Sequence, residues 1–339
     1  MLFANTELIG LDIGTDSVKM VEIDHAKGAG HITTFGIERH RLEIDGYWNG
    51  STLRSLSKTI NNILNKSDFV GVKTVMSVRS KDVYVTTMDF EPTASKRQIE
   101  KEINEQAPYF LPYPPEEMRL SWSAVTLPPG IHKKRIVINA IPDFVIENAK
   151  NLLEHINLDG VALENQTLSQ IRAICPENTG NTILIDVGAS HTVFSILVDK
   201  ILRATTFINS GSEKISRDIS EALGVDWEIA DHFKKDLGLV NLTELPAPFL
   251  DYFEIVASEL RNFEKMNAAV GQKAERVYIT GGGSYSAGLA QFLSGQTTLP
   301  VSLQSPTQGL ILSQAITPYV SPFLHELSTA IGLAKRSEL

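Results

Sequence analysis

The sequence predicts an α/β chain of two related lobes with a small α+β subdomain inserted between their signature segments. Three observations carry that expectation. Residues 8–23, Leu-Ile-Gly-Leu-Asp-Ile-Gly-Thr-Asp-Ser-Val-Lys-Met-Val-Glu-Ile, resemble residues 182–197, Thr-Ile-Leu-Ile-Asp-Val-Gly-Ala-Ser-His-Thr-Val-Phe-Ser-Ile-Leu, with Asp12 matching Asp186 and Gly14 matching Gly188. The apolar run Arg276-Val277-Tyr278-Ile279-Thr280 enters Gly281-Gly282-Gly283-Ser284 before helical spacing resumes. Between the paired segments lies a stretch with helix and strand signals of its own. A chain of 339 residues, 42% hydrophobic and 21% charged, has ordinary globular composition and length for about two domains.

Each paired segment reads as strand, Asp-x-Gly turn, strand, which is a hairpin signal. Ser95-Lys96-Arg97-Gln98 fits a capping box, after which Ile99, Ile103 and Ala107 recur at helical spacing for about three turns, until Pro108 approaches. Pro112, Pro114 and Pro115 follow, then strands near 119–126 and 135–140 across the turn Pro128-Pro129-Gly130. Ile215, Ile219 and Leu223 predict a helix stopped by Gly224; Asp226 can cap a second helix ending near Gly238, and residues 249–270 continue the pattern through Phe253, Val256, Leu260 and Phe263. Leu289, Phe292 and Leu293 mark the helix after the glycines. The domains expected are a first lobe at 1–84 and 156–181, the subdomain at 85–155, and a second lobe at 182–339 with a helical insertion near 212–272.

Lys plus Arg at 31 against Asp plus Glu at 40 gives a formal charge of −9, which argues against a broad nucleic-acid footprint. Cys175 alone can form neither an intramolecular disulfide nor a Cys-rich zinc site, which suits a reducing compartment; a small core residue is its simplest reading. Residues 1–10 lack the cationic start of a secretory signal, and no apolar run reaches the length of a spanning helix, so a cytoplasmic protein is expected.

The chemistry concentrates in the turns. Gly14 allows close backbone approach, successive N–H groups from Thr15 through Asp16 to Ser17 can hold phosphate oxygens, Asp12 can hold the accompanying cation through water, and Lys19 returns a positive charge. Asp186 with Gly188, Ala189 and Ser190 offers the same from the other lobe, and His191 either donates to a phosphate or is a strand residue on a polar face. Gly281, Gly282 and Gly283 leave room for flat packing of a base and ribose. Ser286 stands where a Gly-x-Gly-x-x-Gly fingerprint needs glycine, and no P-loop pattern exists.

In that order, these segments resemble the phosphate-1, phosphate-2 and adenosine motifs of the actin-like ATPase superfamily, whose duplicated lobes are RNase H-like. Within it the chain is similar to the PilM family of type IV pilus assembly proteins, relatives of the cell-division protein FtsA. The similarity rests on Asp12-Ile13-Gly14-Thr15-Asp16-Ser17-Val18-Lys19, on Gln98-Ile99-Glu100-Lys101-Glu102-Ile103 leading to Pro112-Tyr113-Pro114-Pro115-Glu116-Glu117, and on Ala330-Ile331-Gly332-Leu333-Ala334. The resemblance implies ATP or ADP with magnesium in a central cleft, and Asp12 and Asp186 as the carboxylates that hold the metal. It also implies that residues 85–155 are the FtsA-type 1C-like subdomain, which docks the N-terminal cytoplasmic peptide of a PilN-like inner-membrane protein. Self-association, contacts with other pilus assembly proteins, and a position peripheral to the inner membrane follow from the same likeness.

Further roles are carried over residue by residue. Asp231 and Lys234 match positions that contact ribose and adenine in relatives, Ser284 closes the adenosine segment, and Gly211 matches a glycine of the preceding segment, with Ser212 where a second glycine is usual. Asp16 departs from expectation by adding a carboxylate beside a phosphate turn. Glu164 lies where relatives carry Glu-Pro-x-Ala near an attacking water; here the run is Glu164-Asn165-Gln166-Thr167, and water positioning and helix capping both stay open. At most slow ATP turnover is expected. The alternatives are a small-molecule kinase of the same superfamily, for which no substrate-base signature stands out, and an FtsA-like cell-division or secretion-system scaffold.

Overall fold

The first paired segment folds as an antiparallel hairpin, β1 (Glu7–Ile13) with β2 (Ser17–Asp24), and Asp12 faces Lys19 across the ladder. The computed structural model describes residues 7–336 apart from 27, 41, 43, 45, 47, 126–131, 177–178, 199–200 and 237–246. The expected turn at 128–130 and the helix stop at Gly238 lie outside the described residues. β3 (Gly30–Arg39) extends the hairpin, with Arg39 opposite Ser17. α1 (Gly50–Lys66) starts where the Asn49 side chain accepts from the N–H groups of Ser51 and Thr52, and it buries Leu56, Ile60 and Ile63. β4 (Lys73–Val78) returns parallel to β1.

β5 (Tyr84–Phe90), α2 (Lys96–Phe110), β6 (Met118–Val125) and β7 (Lys134–Pro142) make the small subdomain. Its sheet runs β5-β7-β6, and Ile99 and Ile103 of α2 close a core with Phe90, Ile136 and Ile138. The capping box at Ser95 and Gln98 forms as the sequence predicts. The helix, however, runs through Pro108 to Phe110. Proline removes only the bond to the carbonyl of solvent-exposed Asn104, and Leu111 N–H still reaches Ala107 O at 3.0 Å.

α3 (Asp143–His155) corrects the expected boundary at 155. Its Ala149, Leu152 and Leu153 belong to the core of the first lobe, with Ile9, Leu56 and Ile60, so the subdomain ends at the end of β7. β8 (Asp159–Asn165) then pairs with β4, and α4 (Gln166–Ile174) follows directly, capped by Asn165.

The second lobe repeats the hairpin as β9 (Thr182–Val187) and β10 (Thr192–Val198), extended by β11 (Ile201–Ile208). α5 (Glu213–Leu223), α6 (Trp227–Asp236) and α7 (Ala247–Ala269) follow. Gly224 ends α5 at φ 63°, the left-handed geometry that glycine adopts without strain. β12 (Arg276–Thr280), α8 (Leu289–Ser294) and β13 (Val301–Leu303) complete a sheet of order β11-β10-β9-β12-β13. Phe253, Val256 and Leu260 of α7 pack on its Ile183, Ile185 and Phe194.

The end of the chain corrects a second boundary, because it returns to the first lobe. β14 (Leu310–Leu312) pairs parallel with β3, making the first sheet β14-β3-β2-β1-β4-β8. After α9 (Thr317–Val320), α10 (Ser328–Ala334) lies wholly buried against β1 and α4. The approach is close enough to require glycine. A Cβ on Gly10 would stand 2.0 Å from Ala330 O, and one on Gly332 would stand 1.9 Å from Ser169 O. One core runs under both lobes through Val21, Ile174, Leu184, Tyr278 and Ile331, with the partly buried Cys175 packed against it.

Candidate functional site

The two hairpin turns meet at a cleft between the sheets. Asp12, Gly14, Thr15, Asp16, Ser17 and Lys19 line one wall; Asp186, Gly188, Ala189 and His191 line the other. Asp231 and Lys234 of α6 and Gly281, Gly282 and Gly283 close the third side. The cleft is open to solvent, with about 1050 Å³ of empty space when its mouth is included.

Each turn is tightened by its own backbone: Gly14 N–H donates to Ser17 O at 3.0 Å and Gly188 N–H to His191 O at 3.0 Å. His40, which the sequence reading did not single out, fixes the first turn from behind. Its Nε2 donates to Gly14 O at 3.0 Å while its Nδ1 accepts from Leu42 N–H at 2.9 Å, and burial lowers its pKa, so the neutral tautomer suits both bonds.

The acid pair is asymmetric. Oδ1 of Asp12 accepts from Ser77 Oγ at 2.7 Å and Gln166 Nε2 at 2.9 Å, and Lys19 Nζ stands 3.9 Å from Oδ2. Asp186 has its pKa raised, by burial first and by the neighbouring Asp12 carboxylate second, against the opposing Gln170 hydrogen bond and Lys19 charge. Two such carboxylates on one cleft attract a cation. Among the described residues no group of three or more His, Cys, Asp or Glu side chains could hold one alone, so phosphate oxygens and water would have to complete its shell.

On α6, Asp231 is held by Lys234 Nζ at 2.6 Å, Ser216 Oγ at 3.1 Å, Lys235 Nζ at 3.3 Å and Arg39 Nη2 at 2.9 Å. Burial opposes its ionisation, but the three cations outweigh burial and hold it far below the usual carboxylate range. Gly281 has φ 87° and lies so close to Asp186 that a Cβ would stand 2.3 Å from Oδ1.

Three sequence candidates, Glu164, Gly211 and Ser284, do not line the cleft. Glu164 does not reach the cleft: Arg172 grips both its carboxylate oxygens, and Asn165, not Glu164, caps α4 by accepting from Thr167 N–H at 2.7 Å. The residue of that run facing the cleft is Gln166. Gly211 is needed by the protein itself, since a Cβ there would stand 2.1 Å from Ala189 O behind the second turn. Ser284 Oγ donates to Gly281 O at 2.7 Å and so braces the glycine segment from within. Ser190 Oγ donates across the cleft to Thr15 Oγ1 at 2.8 Å and bonds His191 Nδ1.

Arg39, Gln166, Gln170, Trp227 and Glu326 were missed as cleft residues. Arg39 carries no local signal, because only the β2–β3 register sets it opposite Ser17. Away from the cleft, the basic run Lys133-Lys134-Arg135 at the start of β7 is engaged: Arg135 and Lys133 pair with Asp89, and Lys134 Nζ donates to Ala94 O.

Two lobes built on matching acidic hairpins around one cleft define the actin-like ATPase fold. The solved PilM-PilN type IV pilus biogenesis complex superposes with a TM-score of 0.82 at 17% identity, covering 98% of each chain. MreB 5 of Spiroplasma citri bound to AMPPNP does so at 0.54 and 11% identity, covering 97% of this chain and 95% of that one. The chain belongs to the PilM family of type IV pilus assembly proteins, whose model matches residues 10–338. Among curated relatives, cell division protein FtsA of Enterococcus faecalis is 23% identical over 260 residues, 68% of this chain and 58% of the relative. FtsA of Bacillus subtilis is 22% identical over 276 residues, 69% and 59% respectively. The chain thus spans rather more than half the length of these relatives. Among the described residues no helix is long and apolar enough to cross a membrane.

Proposed function

We propose that this protein binds ATP or ADP with magnesium between its two hairpin turns and docks the N-terminal cytoplasmic tail of a PilN-like inner-membrane protein, at a station peripheral to that membrane. The observation that carries the first half is the facing pair of tightened turns, each with an aspartate beside it, on one cleft with Gly281–Gly283. The residues fit the group. A Cβ on Gly14 would crowd Lys19 Nζ at 3.1 Å and Ser17 O at 3.2 Å, where a phosphate would be cradled. Asp12 and Asp186 would hold the metal, which neutralises phosphate charge when bound, and Asp231 with Lys234 would take the ribose and base. Gln166, which already donates to Asp12, is placed better than Glu164 to order a water, and turnover would be slow at most.

A second recess supports the docking half. Trp48 of the first lobe meets Phe144 and Val145 of α3 there over the core residues Ile13, Ile44 and Met76, with Arg79, Asp82 and Asn148 also on its walls, and Phe144 abuts Tyr113 of the Pro-rich turn edge-on at 6.3 Å. A tail without structure of its own needs preformed anchor points to offset its ordering entropy, and the aromatic rim of Trp48, Phe144 and Tyr113 offers them. Because α3 is part of the first-lobe core, removing 85–155 would open that core, so point changes are the cleaner probe. Val145→Asp should abolish binding of the tail peptide in a titration without altering nucleotide binding.

ATP with magnesium at 100 times its dissociation constant should add about 2.7 kcal/mol of stability, at roughly 2 to 4 °C per kcal/mol. Asp12→Ala with Asp186→Ala should remove that increment. No increment in the native chain, or an unchanged one in the double variant, refutes the nucleotide reading.

A further inference from the structure

Arg39 closes β3 of the first sheet, yet its guanidinium lies on the second lobe. Nη2 donates to Asp231 Oδ2 at 2.9 Å, Nε stands 3.2 Å from Asp16 Oδ2, and Cζ sits 4.4 Å from the centre of the Trp227 ring. Asp231 and Trp227 are both on α6, four residues apart and therefore on one face of the helix. One side chain thus ties the first phosphate turn to the helix that carries the ribose-side carboxylate. It does so at the mouth of the cleft, with its side chain 36% exposed, while the Thr15–Ser190 bond joins the turns themselves. Guanidinium suits this place because its planar fork serves two carboxylates and stacks on an indole at once, which an ammonium cannot do.

The same contact resolves the anomaly of Asp16. A carboxylate beside a phosphate turn repels polyanions unless it is matched, and Arg39 matches it.

We propose that Arg39 is a strap across the cleft mouth: it holds the lobes together through α6 and must release Asp231 each time a nucleotide enters or leaves. It is a positioning residue, acting through Asp16 and Asp231. The kinetic consequence rests on the nucleotide reading above; the conformational consequence does not. In the apo chain the strap keeps the lobes at one separation. With nucleotide bound it slows escape.

The test uses the full chain with Cys175→Ser and spin labels at Lys58→Cys on α1 and Glu254→Cys on α7, both exposed. Pulsed electron spin resonance should give a narrow inter-lobe distance distribution in this background. Arg39→Gln should broaden it toward longer distances. Arg39→Lys should broaden it too, since charge without the fork does not suffice. Trp227→Leu, which removes the ring stacked on Arg39 and keeps both carboxylates, should move it the same way by less, and it serves if the glutamine variant does not fold. In stopped flow with a fluorescent ATP analogue and magnesium, Arg39→Gln should raise the dissociation rate constant about tenfold or more, the effect of losing a charge-assisted hydrogen bond. Broadening without any nucleotide binding in the parent would uphold the strap and refute the nucleotide reading. An unchanged distribution in folded Arg39→Gln, or unchanged dissociation where binding is seen, would overturn the strap.

Discussion

The seat of α10 makes a demanding prediction for Gly332→Ala. The added methyl carbon would stand 1.9 Å from Ser169 O, against the 3.4 Å or more of ordinary contact, so α10 and α4 must separate by about 1.5 Å. Both sides of that contact are backbone, and neither can rotate away. Overpacking of a filled core typically costs about 1 to 3 kcal/mol. At roughly 2 to 4 °C per kcal/mol, a midpoint drop of about 2 to 12 °C is expected from thermal denaturation followed by circular dichroism. The change also reaches the cleft, because Gln170 of α4 bonds Thr329 Oγ1 at 3.0 Å and also bonds Asp186. The stabilisation by ATP and magnesium should therefore shrink in the same variant. A midpoint within 1 °C of the parent would show that α10 is not seated on α4 as described, and the first-lobe assignment of the chain's end would fall with it.

Asp186→Asn should raise the stability of the apo protein by about 1 kcal/mol or more while removing the nucleotide increment. The sign follows from its raised pKa. The folded state favours the protonated acid, so stability is full at low pH and declines as pH rises from the ordinary carboxylate range through the raised value, a decline the asparagine variant should lack in pH-dependent melts. Glu164→Gln should leave the nucleotide increment unchanged, whereas Arg172→Met should lower the midpoint by several degrees by leaving Glu164 buried without its main partner; loss of binding in Glu164→Gln would return that residue to the site.

What the sequence disclosed follows the range of its signals. The Asp-x-Gly hairpins, the capping box at Ser95 and the glycine run are local patterns, and local hydrogen bonding and left-handed backbone decide them. Their coming together was also legible, because the repeat at Asp12 and Asp186 implies two copies of one unit. Side chains delivered by register were not. Arg39 lies more than twenty residues from the turn it serves, and only the β2–β3 ladder places it there. Gln166 carries no chemical signal of its own in the sequence, whereas the acid two positions earlier does, and the partner that occupies that acid, Arg172, sits two helical turns along the chain on α4. The return of β14 and α10 to the first lobe shows only as small residues, Gly10, Ala330 and Gly332, whose spacing looks like any buried helix until the facing strand is known. The same holds for α3, which follows the subdomain in sequence and packs with the lobe before it.

If the two acidic turns clasp one nucleotide, a crystal structure of the chain grown with magnesium and a non-hydrolysable ATP analogue will show it. Triphosphate density is expected between the backbone of residues 14–17 and that of residues 188–191, with the metal beside Asp12 and Asp186 and the base against Gly281–Gly283. Density for the analogue elsewhere on the chain, or an empty cleft at saturating concentration in solution and crystal alike, would contradict it.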